Sequence, residues 1–146
     1  MKLVVLFGTE TGNAELVAED IVDAVRAETE ASAHDMADFD IAGLTPDALY
    51  LIVCSTYGDG ELPNSAQPFA NALREQRPDL SGVRFAVFGL GDSFYATYNQ
   101  GSRLLAELLG ELGARQVGEH GLHDASSGEL PGDVALAWAK SILSQL

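Results

Sequence analysis

The chain has 146 residues, 47% of them apolar, and carries 22 acidic against 8 basic side chains for a formal charge of −14. That length suits a single domain, residues 1–146, with a full core, and the composition excludes a disordered chain. The acidity argues against a nucleic-acid ligand, because affinity for phosphate backbones rests on Lys and Arg. One cysteine permits no internal disulfide and points to a reducing compartment. The apolar run in "MKLVVLFG" is too short for a secretory signal, and no run reaches membrane-spanning length, so a cytoplasmic protein is expected. Two readings of the charge remain: solubility, or an acidic face that steers a basic protein partner.

In chain order, Leu3 to Phe7 is a continuous apolar run, as a buried parallel strand requires. Leu16, Val17, Ile21, Ala24 and Val25 then recur on one face of a helix. Residues 32–39 read as a weak second strand, and Leu49 to Cys54 as a strong third one. A helix is predicted from about Ser65, bounded by Pro78. Phe85 to Phe88 follows as a strand. The leucines from Leu104 to Leu112 mark a helix ended by Gly113. Gln116 to Leu122 reads as an uninterrupted last strand, and Pro131 opens a final helix at its favoured first position. Strands alternating with helices predict an α/β fold: a doubly wound, five-stranded parallel sheet with helices on both faces. Ligands of such sheets bind at the carboxyl ends of the strands, where strand order reverses.

Three loops follow the strong strands. The first, Gly8-Thr9-Glu10-Thr11-Gly12-Asn13, has hydroxyls, an amide and backbone N–H groups at a helix start but no lysine, so it suits a single terminal phosphate rather than a metal-bound triphosphate. An ordinary capped turn is the plain alternative. The second, "CSTYGDGELPNS", sets Tyr57 beside Gly58 and Gly60, a flat face with pliable backbone next to it. The third, "GLGDSFYATYNQG", packs Phe94, Tyr95 and Tyr98 just past a strand end, where they form a second aromatic wall or pack beneath the loop. Together the three describe a planar ligand carrying one phosphate on a flexible tail, riboflavin monophosphate (FMN).

The stretches "GTETGNAE", "STYGDGELP" and "FGLGDSFYATYN" resemble the three FMN loops of the flavodoxin family, and the likeness covers essentially the whole chain. It is similar to the short-chain bacterial members and to the FMN domains of diflavin reductases. The resemblance implies a flavodoxin-like sheet of order 2-1-3-4-5 and an FMN-containing, low-potential, one-electron carrier rather than an enzyme. Its implied partners are an NAD(P)H-dependent reductase and redox acceptors with basic docking faces, with the carrier itself a monomer. By the same resemblance, Thr9, Glu10, Thr11, Gly12, Asn13 and Ala14 hold the phosphate. Ser55, Thr56, Tyr57, Gly58, Asp59 and Gly60 line the ring, with Tyr57 on the inner face where Trp is usual. Leu90, Gly91, Asp92 and Phe94 begin the other wall, Tyr95 stacks on the outer face, and Tyr98 and Asn99 support that loop. Asp124 matches an acid found near the ring in the diflavin domains. Gly58 is the residue whose carbonyl is expected to turn toward the ring, at little backbone cost. Asp59, Glu61, Asp92 and Asp124 are expected to disfavour a negatively charged ring. One carboxylate about 8 Å away, at an effective dielectric of about 20, is worth at most about 2 kcal/mol before screening.

Other readings carry less. "GDSF" at Gly91 to Phe94 matches a block of some serine hydrolases, but it follows the wrong strand and lacks a distant Asp-x-x-His. The aspartates of "DFD", Asp38 and Asp40, do not follow the first strand, as a phosphotransfer module of this fold requires. His120 and His123 lack a third ligand and read as solvated rather than metal-binding, and Cys54 as a buried strand end. A flavin-dependent NAD(P)H:quinone reductase is the nearest rival; nothing in the chain resembles a nicotinamide site. A non-flavin interaction module of the same fold is the other alternative.

Overall fold

The computed structural model describes residues 2–9, 12–55, 62–91 and 100–145. In chain order the described elements are β1 (Lys2–Gly8), α1 (Asn13–Val25), β2 (Glu30–Asp35), β3 (Ala48–Ser55), α2 (Gln67–Gln76), β4 (Arg84–Gly91), α3 (Gln100–Glu111), β5 (Arg115–Gln116), β6 (Gly121–Asp124) and α4 (Pro131–Ser144), with 3-10 turns rather than an α-helix between β2 and β3. All strand pairs are parallel, in the order β2-β1-β3-β4-β5, with β6 also pairing with β4. This is the doubly wound order the sequence predicts. The order reverses between β1 and β3, where the chain leaves β1 for α1.

The alternation of side chains along each strand builds two cores. On β3, Tyr50, Ile52 and Cys54 face α2 and α3, while Leu49, Leu51 and Val53 face α1 and α4. On β1, Val4 and Leu6 join the first layer and Leu3, Val5 and Phe7 the second. Each buried Leu, Ile or Val contributes about 1.5–3 kcal/mol of transfer free energy. One polar group is taken into the first layer with its partners. The Tyr50 hydroxyl donates to the Gly43 carbonyl and accepts from Thr45 N–H, both at 2.8 Å, so its burial leaves nothing unpaired.

Local chemistry sets the helix limits. Pro131 opens α4, and Gly113, at φ 103°, follows α3 as expected. Helix α2 starts at Gln67, after a turn through Ser65, and stops at Arg77 in the left-handed conformation (φ 41°), one residue before Pro78. The second strand begins at Glu30 and gives way at Met36 to a short 3-10 turn capped by the Asp35 carboxylate.

The last strand departs from expectation. Instead of running unbroken from Gln116 to Leu122, it splits into β5 and β6. Side chains of α4 cause the break. Gly118 takes φ 69°, and a Cβ there would stand 2.5 Å from Ile142 Cδ1. The Trp138 indole donates to the Glu119 carbonyl at 3.1 Å, drawing that carbonyl out of the ladder. The chain re-enters at Gly121, where a Cβ would meet Trp138 and Phe88 ring atoms at 2.5 and 2.6 Å.

Candidate functional site

The register brings four strand ends level. Gly8 lies opposite Cys54, Cys54 opposite Gly89, Ser55 opposite Leu90, and Gly91 opposite Asp124. With strands about 4.8 Å apart, the exits toward all three predicted loops and Asp124 share one edge, at the reversal of strand order. Of the predicted site residues, Thr9, Gly12, Asn13, Ala14, Ser55, Leu90, Gly91 and Asp124 are described. Glu10, Thr11, Thr56, Tyr57, Gly58, Asp59, Gly60, Glu61, Asp92, Phe94, Tyr95, Tyr98 and Asn99 lie outside the described residues.

The first loop is anchored at both ends. Thr9 N–H donates to Ser65 Oγ at 2.7 Å, and Thr9 Oγ1 accepts from Gly12 N–H at 2.8 Å. Each hydroxyl acts as an acceptor in these bonds and keeps its own proton to donate elsewhere. Gly12 then enters α1 at φ 96°, a conformation natural to glycine, and offers no side-chain cap. Among the described residues, a Cβ on Gly12 would meet nothing within 4 Å, so none of them fills the space above the helix start. The first N–H groups of α1 have no partner within the helix and point along its positive end. Ala14 is fully buried and its methyl side chain carries no donor, so it can offer only its backbone N–H. The Leu90 side chain belongs to the core, so it too offers the site only its backbone.

Ser65 is a residue the sequence reading misses. In sequence it stands only at the predicted start of a helix, and its partner Thr9 is 56 residues away. Close approach at Gly8 explains how the two segments meet: a Cβ there would stand 2.7 Å from Ala66 Cβ.

The remaining titratable candidates have structural roles. Cys54 is a buried strand end, as expected, and burial pushes its thiol up to about 12, leaving essentially no thiolate at neutral pH. The histidines are not solvated as the sequence suggests. His123 is buried and its Nε2–H donates to the Glu129 carbonyl at 2.7 Å, which fixes its tautomer. His120 shares a 2.9 Å hydrogen bond with buried Ser102, and burial, then the Arg103 charge, lowers its pKa below 6.5. The His120 partner, Ser102, comes from α3, 18 residues away, and the His123 partner is a backbone carbonyl in the turn six residues on, so neither is marked by a side-chain motif. Among the described residues, no helix is long and apolar enough to cross a membrane.

This fold is shared with flavodoxins of known structure. The sequence profile of the flavodoxin family matches residues 5–138, and the chain belongs to that family. Its members are redox carriers of flavodoxin type, and membership implies a flavin cofactor. Protein MioC of Escherichia coli O157:H7 is 31% identical over 144 residues, covering 99% of this chain and 97% of that protein. The NADPH–cytochrome P450 reductases of Candida tropicalis and Homo sapiens are 34% and 37% identical over 97% and 84% of this chain. The chain spans only about a fifth of their length, 21% and 19%. A cysteine-to-serine mutant of flavodoxin from Pseudomonas aeruginosa superposes with a TM-score of 0.88 at 37% identity, covering 100% of this chain and 99% of that one. Oxidised flavodoxin 1 from Bacillus cereus gives 0.83 at 29% over the same shares.

The residues at the edge fit the phosphate end of such a cofactor. They offer hydroxyl and backbone donors at a helix start, with no described residue in the space a Gly12 side chain would take.

Proposed function

We propose that residues 1–146 form a single FMN-binding domain serving as a cytoplasmic, monomeric, low-potential one-electron carrier. It takes electrons from an NAD(P)H-dependent reductase and passes them to acceptor proteins with basic docking faces. The observation that carries this reading is the level alignment of four strand ends beside the start of α1, where no described residue fills the space above Gly12. Bound FMN would supply the reversible electron transfer, and the chain would supply position and tuning.

Thr9, Gly12, Asn13 and Ala14, with Glu10 and Thr11, would hold the phosphate through hydroxyl and N–H donors. Ser65 contributes by pinning the Thr9 backbone. No cation is needed, because the phosphate is an anchor and not a reacting group. Extra positive charge there would favour a negatively charged ring and raise the potential. Ser55, Thr56, Tyr57, Gly58, Asp59 and Gly60 would line one side of the ring. Leu90, Gly91, Asp92, Phe94, Tyr95, Tyr98 and Asn99 would line the other. Asp124, level with Gly91, would join Asp59, Glu61 and Asp92 in holding negative charge near the ring. The same acids would attract a basic partner and make its reduction rate fall with rising salt.

The test is reconstitution. The purified protein should take up FMN, turning yellow and quenching flavin fluorescence, and should oxidise NADPH only when a reductase is added. Gly12→Val, which forces a branched side chain into a left-handed conformation and into that space, should weaken FMN binding at least about tenfold. A protein that takes up no flavin overturns the reading; one that oxidises NADPH unaided is a reductase.

A further inference from the structure

A groove of about 630 Å³ lies between α1 and α4, away from the sheet. Leu16 and Leu130 flank it, 61% and 68% exposed, and Leu122 is the one other exposed large apolar side chain among the described residues. Neither flanking leucine is needed for the core. The sheet-facing stripe of α1 is complete with Ala14, Val17, Ala18, Ile21, Val22 and Val25, all buried. Helix α4 faces the sheet with Ala135, Ala139 and Ile142. Leu16 falls instead on the line Asn13-Leu16-Asp20-Asp23, spaced by three, four and three residues along the α1 flank. Across the groove stand Leu130, Gly132, Asp133 and Leu136. Gly132 keeps the helices close: a Cβ there would stand 2.6 Å from Asp20 Oδ2.

The rim identifies the occupant. Asp20, Asp23 and Asp133 line the groove and no Lys or Arg does. Arg26 pairs with Asp23 at 3.4 Å, but both side chains are about two-thirds exposed or more, so a competing cation displaces it at little cost. A second copy of a chain of charge −14 would bring like charge to this rim. A basic amphipathic helix satisfies both parts, with apolar side chains between the leucines and Lys or Arg against the aspartates.

We propose that the α1–α4 groove docks a basic amphipathic helix of the protein that exchanges electrons with this chain. That the partner is a redox protein rests on the carrier reading; the groove itself does not depend on the flavin. The groove begins at Asn13, the first residue of α1, so a helix seated there approaches the candidate cofactor site along α1. It anchors the partner by apolar contact, which salt does not screen, beside the charged attraction, which salt does.

The experiment titrates ¹⁵N-labelled, FMN-loaded protein with a synthetic Leu/Lys amphipathic helical peptide and follows amide shifts. A peptide with Glu in place of Lys is the control. Shifts are expected to concentrate on residues 16–24 and 130–136 for the Lys peptide and to be absent for the Glu peptide. The double variant Leu16→Ser, Leu130→Ser should bind the Lys peptide at least about tenfold more weakly. Both leucines are exposed, so its unfolding midpoint should hold. The triple variant Asp20→Asn, Asp23→Asn, Asp133→Asn should lose most of the salt dependence. Shifts spread over the whole acidic surface, unchanged binding by the leucine variant, or the same shifts on concentrating the protein alone would each overturn the proposal. Flavin absorbance in the same samples reports the carrier reading separately, since a colourless protein can still bind the peptide.

Discussion

Strand β3 buries every residue but Ser55, whereas β2, at the margin of the same sheet, buries none. At the opposite margin both residues of β5 are exposed and β6 buries only His123. The central strands have helices on both faces and neighbours on both sides, so only apolar side chains fit and the composition is forced. The margins have one neighbour, and β2 carries Glu30, His34 and Asp35, polar groups that discourage a further strand from pairing. Tolerance to substitution should therefore fall from margin to centre, except where a margin residue is wedged by a helix.

The largest effect is expected at the centre. Ile52→Ala removes a fully buried side chain from β3 and should cost about 2–5 kcal/mol in urea unfolding. Arg115→Ala, on exposed β5, should stay within about 0.5 kcal/mol. Equal costs would break the comparison. Next comes the exception at Gly121, in β6. An added methyl meets the Trp138 and Phe88 rings, so Gly121→Ala should cost about 1–3 kcal/mol and change Trp138 emission. A neutral result would remove the wedge as the cause of the split strand. The smallest effect is pH-dependent. The pKa of His120 is lowered in the fold, so the unfolded chain binds its proton more readily. Its contribution is therefore neutral well above pH 6.5, and stability is lost as pH falls through that value toward the folded pKa. Between about pH 7.5 and about pH 5.5, the unfolding midpoint should fall more for the wild type than for His120→Gln. Parallel curves would show that His120 titrates as in the unfolded chain.

How far the sequence can be read follows from the same contrast. Strands β1, β3 and β4 are legible because burial on both faces demands apolar runs. Helix α4 and the end of α3 are legible because Pro131 and Gly113 act locally. The last strand reads as unbroken because Gly118 and Gly121 look like ordinary turn residues until Trp138 and Ile142 are set against them. The candidate site divides the same way. The glycines, hydroxyls and aromatics of its loops stand in recognisable strings, and those strings assign the chain to its family. Ser65 cannot be read from its neighbours, because its partner Thr9 is brought to it only by the packing of Ala66 against Gly8.

By itself the sequence determined the alternation of strands and helices, the two-faced burial of the central strands and the chemistry available in each loop. These depend on side-chain period, turn residues and functional groups, all local properties. The tertiary structure alone decided which strand ends stand level, which hydroxyl pins Thr9, what Ser102 and His120 are to one another, and that two leucines remain exposed between α1 and α4. Each is a contact between segments far apart in the chain, and its geometry exists only once register and helix packing are set.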